Sequence, residues 1–392
     1  MTSVAGEPVV IIGGGIGGLA AAVALRRVGV PASVYERAPE IREVGAGLSL
    51  WSNAVKALRR LGLEGEVVAR GSPVEITVAR TDRGDLISET PIGQLSQRAG
   101  APSICAHRAD LQQTLAAALE PGQVHLNATC VGFAEDASGV TARFADGRAV
   151  RGSLLIGADG IRSAVRDQLL GPSEPRYAGY FAYRGIARGD FPGLAPGQTV
   201  FAVGRGAQLG LFRCGPGRVY WFATVNAPPG AASPPGTVKA EALKRFAGWF
   251  APVPAVVAAT DESALLKNDI IDRPPTWPWG RGRVTLLGDA VHPTTPNLGQ
   301  GACMALEDAV VLADRLRHRG PTEAALREYE EARRARTAMV TKRSWSLGKI
   351  FQLENPLLMA ARNWLFRRRI GERQGLKLFD ELLGYDPPEL TP

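Results

Sequence analysis

Val9-Val10-Ile11-Ile12-Gly13-Gly14-Gly15-Ile16-Gly17-Gly18 decides the fold of this chain of 392 residues. Four consecutive apolar, β-branched residues mark a strand covered on both faces, as in the middle of a parallel sheet. In the Gly13-x-Gly15-x-x-Gly18 turn that follows, glycine permits a tight corner and lets an anion approach the start of the next helix. Unpaired N–H groups and the helix dipole favour negative charge there. The helix is predicted from about Ile16 to Val28, and Ala32 to Tyr35 is predicted as a second strand. Strand, glycine turn, helix and strand make one βαβ unit of about 30 residues. Glu36 falls 18 residues beyond Gly18, at the end of the second strand, where it can accept hydrogen bonds from ribose hydroxyls. Arg37 beside it joins the expected set. Together these residues read as a site for the ADP-ribose half of a dinucleotide, and NAD and FAD carry that same half.

Composition sets the frame. With 45% hydrophobic residues the chain can bury one large core or two. The net charge of +8 favours anionic ligands in general. Much of the excess sits in Arg333, Arg334, Arg336, Lys342, Arg343, Arg367, Arg368, Arg369, Arg373 and Lys377, read as a solvated helix face. Nucleic acid is not expected as a partner, because no aromatic-interleaved strand or recognition motif accompanies these cations. Cys105, Cys130, Cys214 and Cys303 are too widely spaced for a redox CxxC pair or a zinc knuckle, so free thiols and no metal site are expected. The apolar run from Val9 to Leu25 is broken by five glycines and has no basic segment before it. A soluble cytoplasmic protein without a cleaved leader or transmembrane segment is expected.

Further along, a helix is predicted from about Asn53 to Leu61 and a strand from Glu75 to Arg80, then a polar connection through Gly100. Arg108 to Leu119 reads as a helix. Val140 to Phe144 and Ala149 to Ile156 flank an Asp146-Gly147 hairpin signal. Between Tyr177 and Val225, short aromatic and β-branched runs imply an antiparallel sheet, with Tyr220 and Phe222 on one face and Val219, Trp221 and Ala223 on the other. Val284 to Leu287 returns to a parallel-type strand, Gly301 to about Arg317 is helical, and helix continues after Glu323 with a break near Pro356. The fold class is α/β. A discontinuous dinucleotide-binding domain is expected over 1–76, 101–176 and 266–335, a substrate domain over 77–100 and 177–265, and a helical segment over 336–392.

Three further motifs carry chemistry. Arg108 puts a cation at a helix start, where the dipole disfavours it unless an anion is near. Leu155-Ile156-Gly157-Ala158-Asp159-Gly160 is a strand entering a tight acidic turn. Gly288-Asp289-Ala290-Val291-His292-Pro293 repeats the theme, with Asp289 placed to bind a polyol, and Pro296 and Gly299-Gln300-Gly301 lead into the next helix. With the N-terminal glycine fingerprint, the Asp159-Gly160 motif and the Gly288-Asp289 motif with Pro293 and Pro296 in this order, nearly the whole chain resembles the single-component (class A) FAD-dependent aromatic hydroxylases, the flavoprotein monooxygenase family typified by p-hydroxybenzoate hydroxylase. The resemblance implies a Rossmann-like FAD-binding domain, a mainly antiparallel substrate domain and C-terminal helices. It places Gly13, Gly15, Gly18, Glu36 and Arg37 at the adenosine half of FAD, Arg108 at its pyrophosphate, Asp289 at its ribitol, and Gly299, Gln300 and Gly301 at the pyrimidine edge of the flavin. Asp159 has a shared or indirect part.

The resemblance also implies a mechanism: NADH or NADPH reduces FAD, O2 adds to give a C4a-hydroperoxide, and oxygen passes to an aromatic or heteroaromatic small molecule. The cofactor carries the difficult chemistry, so no catalytic triad is expected. Tyr183, Gln208, Tyr220, Phe222, Pro293 and Pro296 are the expected pocket, with Tyr220, Gln208 and Pro296 the candidates nearest catalysis. His292 is read as structural. The wording of several segments is similar to the branch of salicylate, 3-hydroxybenzoate and urate hydroxylases, but Gln208 stands where the urate enzyme places a substrate-binding arginine. The competing readings are a dehydrogenase, reductase or epoxidase of the same fold, and a non-catalytic flavin-binding module. A monomer or homodimer is expected. Leu353, Leu357, Ala361, Trp364 and Leu365 fit either a membrane-surface helix or a helix packed across both domains, and the packed helix is preferred.

Overall fold

The structure is a computed structural model that describes residues 6–41, 46–230, 233–234 and 236–390, without the side chains of 369–374. Arg369 and Arg373 of the basic segment therefore have side chains outside the described residues. Val9–Ile12 lies at the centre of a five-stranded parallel sheet, essentially without solvent contact. It pairs with Ala32–Tyr35 on one side and Leu155–Gly157 on the other, and Leu155–Gly157 pairs in turn with Val284–Leu286. Val124–His125 forms the far edge.

Register explains how distant motifs meet. Ile12 is level with Gly157, and Gly157 with Leu286. The turns at Gly13, Asp159 and Asp289 therefore leave the sheet side by side at the carboxyl ends of its strands, where open parallel sheets bind ligands. The first helix, Ile16–Arg27, packs on the helix Gly301–Arg319. Gly17 permits that approach, because a Cβ there would lie 2.8 Å from Leu287 and 3.4 Å from Ala305.

The second layer is a seven-stranded sheet in the order Leu266–Asp272, Arg176–Arg188, Arg218–Asn226, Ala207–Arg213, Gln198–Gly204, Ile76–Thr81, Leu86–Thr90. Its pairs are antiparallel except Gln198–Gly204 with Ile76–Thr81, which is parallel. The two faces separate by the period of two. Val219, Trp221 and Ala223 pack in a core with the helices Val238–Phe246 and Val253–Ala258, whereas Phe212, Tyr220 and Phe222 turn toward the parallel-sheet layer.

Three sequence expectations change. The domain boundary expected at 265/266 cuts into the large sheet, because Leu266–Asp272 pairs with Arg176–Arg188. Ala149 to Ile156 is two strands: Ala149–Gly152 ends a small antiparallel sheet and Leu155–Gly157 enters the parallel one. Gly152 makes that corner, since a Cβ would meet Pro8 O at 2.5 Å. The polar connection through Gly100 holds a strand, Leu86–Thr90, and a helix, Ile92–Ala99, whose Ile92 and Leu95 are buried. After Glu323 come three helices, Glu323–Phe351, Pro356–Arg367 and Arg369–Leu383. No helix among the described residues is long and apolar enough to cross a membrane.

The tightest packing is in the glycine loop. A Cβ on Gly18 would sit 1.9 Å from Gly13 O, backbone that cannot yield. Gly18→Ala is expected to lower the stability of the flavin-free protein by about 1–3 kcal/mol, the usual cost of overpacking. Urea unfolding measures this, and an unchanged midpoint would show that the loop relaxes freely.

Candidate active site

The glycine loop nests on the Asp159 turn. Gly13 adopts φ +109, and a Cβ there would lie 2.3 Å from Ala158 O, so only glycine fits. Gly15 is different: nothing lies within 4 Å of its Cβ position, and it begins the first helix with no side-chain cap and no acid in the first turn. Open space therefore faces the bare N–H groups, as an anion site requires. Glu36 accepts from Gly14 N at 2.5 Å and Ala38 N at 2.8 Å, so its carboxylate also ties the loop to the second strand. Arg37 is exposed and makes no hydrogen bond or ion pair among the described residues. Asp159 accepts from Ser163 Oγ and Val165 N and braces the helix Ala164–Leu170. Burial pushes its carboxyl above the usual range, partly offset by Ser163. Its carboxylate is thus spent on the turn and on the helix start.

Asp289 is solvent-accessible yet crowded by protein, which places it on the floor of a cleft. Desolvation raises its pKa, opposed by His292 and Arg108. Arg108 begins the helix Arg108–Ala117, its N–H donating to Ala46 O at 3.0 Å, and its charge acts on both Asp289 and Tyr220. The helix Gly301–Arg319 points its start at the same cleft. It too has no side-chain cap and no first-turn acid, and Asp289 Oδ1 lies 4.0 Å from the Cβ position of Gly301.

Behind these groups runs a buried ionic network. His292 Nε2 lies 2.6 Å from Asp308 Oδ2, which also accepts from Gly288 N at 3.1 Å. Asp308 Oδ1 accepts from Arg333 Nε at 2.7 Å, and Arg333 also donates to Glu307 Oε2 at 2.6 Å. Arg336 grips both oxygens of Glu307 at 2.7 Å. Asn53 donates to Glu307 Oε1 at 2.6 Å and to Gln300 Oε1 at 2.9 Å. Two carboxylates and two guanidiniums balance. Burial alone would raise Glu307 and Asp308, but Arg333 and Arg336 for the first, and His292 and Arg333 for the second, outweigh it and hold both carboxyls below their usual range. The network thereby links the Gly288-Asp289 turn to the Gly299–Gly301 turn. Trp51 adds a clamp, its Nε1 donating to Leu298 O at 3.0 Å. Of the cations read from sequence as a solvated face, Arg333 is instead in the core and Arg336 is mostly buried at its edge, because Glu307 and Asp308 await them. His292 is buried, with its Nε2 committed to Asp308.

The aromatic face of the large sheet turns toward these elements. Tyr220 packs on Gly47, where a Cβ would lie 2.4 Å from its ring, and burial pushes its hydroxyl up to about 12. Phe201, Phe212, Tyr220 and Phe222 form one aromatic group, with centroids 5.3 to 6.4 Å apart. Gln208 and Thr224 are cross-strand neighbours on this face, both buried, and Gln208 Oε1 and Thr224 Oγ1 have no hydrogen-bond partner among the described residues. Arg184, opposite Phe222, makes no hydrogen bond or ion pair among them either. Two polar contacts join the sheet to the cofactor side: Tyr180 Oη donates to Asn297 Oδ1 at 2.9 Å, and Arg218 binds Asp110 at 2.7 Å.

Tyr183 leaves the expected pocket. It lies on the opposite sheet face, packed with Phe181 and Phe246, since odd positions of its strand turn away from Tyr220. Pro293 is buried and presents little surface, while Pro296 is exposed. Gln300 commits its side chain to Asn53, so only its backbone is left for a ligand.

A family model described as an FAD binding domain matches residues 7–344. The chain belongs to the FAD-dependent aromatic hydroxylase family. It is 43% identical over 94% of its length to the aurachin C monooxygenase/isomerase of Stigmatella aurantiaca, covering 96% of that protein. It is 41% identical over 83% of its length to an FAD-dependent urate hydroxylase of Klebsiella pneumoniae, covering 85% of it. Klebsiella pneumoniae HpxO complexed with FAD and uric acid has the same fold, with a TM-score of 0.90, 36% identity and 96% of each chain covered. An arginine-to-glutamine variant of HpxO with FAD also superposes at 0.90, with 37% identity over 96% of this chain and 99% of that one. The chain is an FAD-dependent monooxygenase. Two uncapped helix starts, the space at Gly15, the Arg108 cation and Asp289 on the cleft floor all fit that cofactor.

Sequence reading missed Asn53, Glu307, Asp308, Thr224 and Arg184. Adjacent acids inside the apolar helix Gly301–Arg319 were a usable signal, since buried charges demand partners. Arg333→Met is expected to cost about 3–5 kcal/mol, as breaking a buried pair does. Because both carboxyls are depressed in the folded state, their contribution is complete above about pH 5 and is lost as pH falls through the carboxylate range and below. In the variant the acid limb of a stability profile should move to higher pH; an unmoved limb would contradict the network's role.

Proposed function

We propose that the protein hydroxylates a neutral aromatic or N-heteroaromatic small molecule, with NADH or NADPH as reductant. The observation that carries this reading is the buried pair Gln208 and Thr224, with unpartnered oxygens beside Tyr220 and Phe222. Buried acceptors without partners are costly, so they mark where a ligand's N–H or O–H groups belong. A carboxamide accepts such groups without selecting an anion, unlike an arginine. Support comes from the relatives, one named a urate hydroxylase and one an aurachin C monooxygenase.

When bound, FAD accepts hydride from the nicotinamide and activates O2, so that one oxygen atom enters the ring and the other leaves as water. The chain's residues do the rest. Gly13, Gly15, Gly18, Glu36, Arg108 and Asp289 hold the cofactor. The uncapped start of Gly301–Arg319 would favour negative charge on a flavin held there. Phe201, Phe212 and Phe222 exclude water, and Tyr220, kept protonated by burial, offers a neutral hydroxyl to the substrate. Four free cysteines accord with a reducing cytoplasm.

The test is 18O2 labelling during substrate-stimulated NAD(P)H oxidation, screening phenols and N-heteroaromatics. Incorporation of one labelled atom per turnover is expected. Nicotinamide oxidation without incorporation would favour a dehydrogenase or reductase of the same fold. With the best substrate, Gln208→Leu is expected to raise KM about tenfold, the loss of one buried hydrogen bond, while FAD content stays unchanged. An unaltered KM would remove Gln208 from the pocket.

A further inference from the structure

The helix Pro356–Arg367 is inside out. Leu357 is 80% exposed, Leu358 53%, Trp364 58% and Leu365 46%, while the one buried residue is a cation, Arg362 at 5%. The sequence favoured a helix packed across both domains, and the structure reverses that expectation for its apolar residues. The reason is local. Arg362 turns inward to donate to Ile350 O and Phe351 O at 3.3 and 3.4 Å, capping the last carbonyls of Glu323–Phe351. Arg362 shares the inward side with half-buried Met359, Asn363 and Phe366, whose ring lies 6.1 Å from that of Phe351; at about 100° per residue, Leu357, Ala361 and Trp364 fall opposite that side, with Leu358 and Leu365 on its exposed flank.

The helix start is fixed by its own sequence. Asn355 caps it, accepting from Leu357 N at 2.9 Å and Leu358 N at 3.3 Å, and Pro356 occupies its first turn. Exposed Leu86 and Ile350 extend the apolar surface: Leu86 O accepts from Arg367 Nε at 3.1 Å, and Ile350 O from Arg362. Cations edge it. Arg367 and Arg368 are exposed, with the Arg368 guanidinium 4.8 Å from the Trp364 ring, and Lys349 lies one turn before the break. No acid occurs between Pro356 and Arg369, and the nearest, Glu354, is engaged by Asn226.

We propose that this helix docks the protein on an anionic lipid surface. Leucine and tryptophan on an outward arc with arginine at its edge is the pattern of a helix that lies in the headgroup boundary. Each cation near such a surface adds to binding, and the net charge of +8 has the matching sign. A second copy fits less well, because a twofold contact through this face would set Arg367 and Arg368 near their own counterparts with no acid on the helix to neutralise them. The inference does not depend on the substrate read for the cleft.

The experiment is flotation of the FAD-loaded protein with phosphatidylcholine vesicles, with and without phosphatidylglycerol. Binding to the mixed vesicles alone is expected, weakening with added salt as surface charge is screened. Leu357→Ser/Trp364→Ser and Arg367→Gln/Arg368→Gln should each weaken it about tenfold or more, with FAD content and unfolding midpoint unchanged because the altered side chains are exposed. No binding by the parent protein, or binding indifferent to both variants, would overturn the proposal. Sedimentation showing a dimer that Leu357→Ser/Trp364→Ser dissolves would assign the face to a second copy instead.

Discussion

Everything at the cofactor cleft depends on three buried charges, Glu307, Asp308 and Arg333, and on Arg336 at their edge. Isolated, any one of them would be prohibitively costly in this core. Together they close a hydrogen-bonded circuit, and its two ends are the elements that must stay in register for a flavin: Gly288 through Asp308, and Gln300 through Asn53. Packing alone would leave the two turns free to shift against each other. Directional, charge-assisted bonds remove that freedom, which is the use most readily argued for an ionic cluster whose net contribution to stability is modest.

The parallel sheet supplies the first half of the geometry and the network the second. Level strand ends at Ile12, Gly157 and Leu286 bring three turns separated by more than a hundred residues to one edge. The large sheet then closes the cleft through Tyr220 on Gly47 and Tyr180 on Asn297. Its polar oxygens at Gln208 and Thr224 face inward unsatisfied, so the apolar aromatic wall carries a small, specific polar demand. That demand is what we propose selects the substrate, opposite the two uncapped helix starts.

Much of this was legible in the chain. Val9 to Ile12 and the glycines after it announce their strand and turn because steric limits leave few other readings, and alternation in 218–226 separates the two sheet faces correctly. Tyr183 was misplaced because period two fixes the face of a residue only relative to its own strand; pairing with Ala223 was needed to turn it away from Tyr220. Arg333 and Arg336 were misread because a cation's burial depends on carboxylates some 25 to 29 positions distant. The outward face of Pro356–Arg367 was hidden for a similar reason: apolar spacing shows that an arc exists, while only Arg362 on the carbonyls of the preceding helix shows which way it points.

The central claim is that the buried circuit positions the cofactor turns and does more than hold the fold. Titrating FAD into flavin-free Asn53→Leu, followed by quenching of flavin fluorescence, tests it most directly, since Asn53 joins Glu307 to the Gln300 side chain and is not itself among the residues proposed to hold flavin. The account expects affinity to fall about tenfold, near the net value of one charge-assisted hydrogen bond, in a protein that remains folded. An FAD affinity equal to that of the parent chain would contradict it.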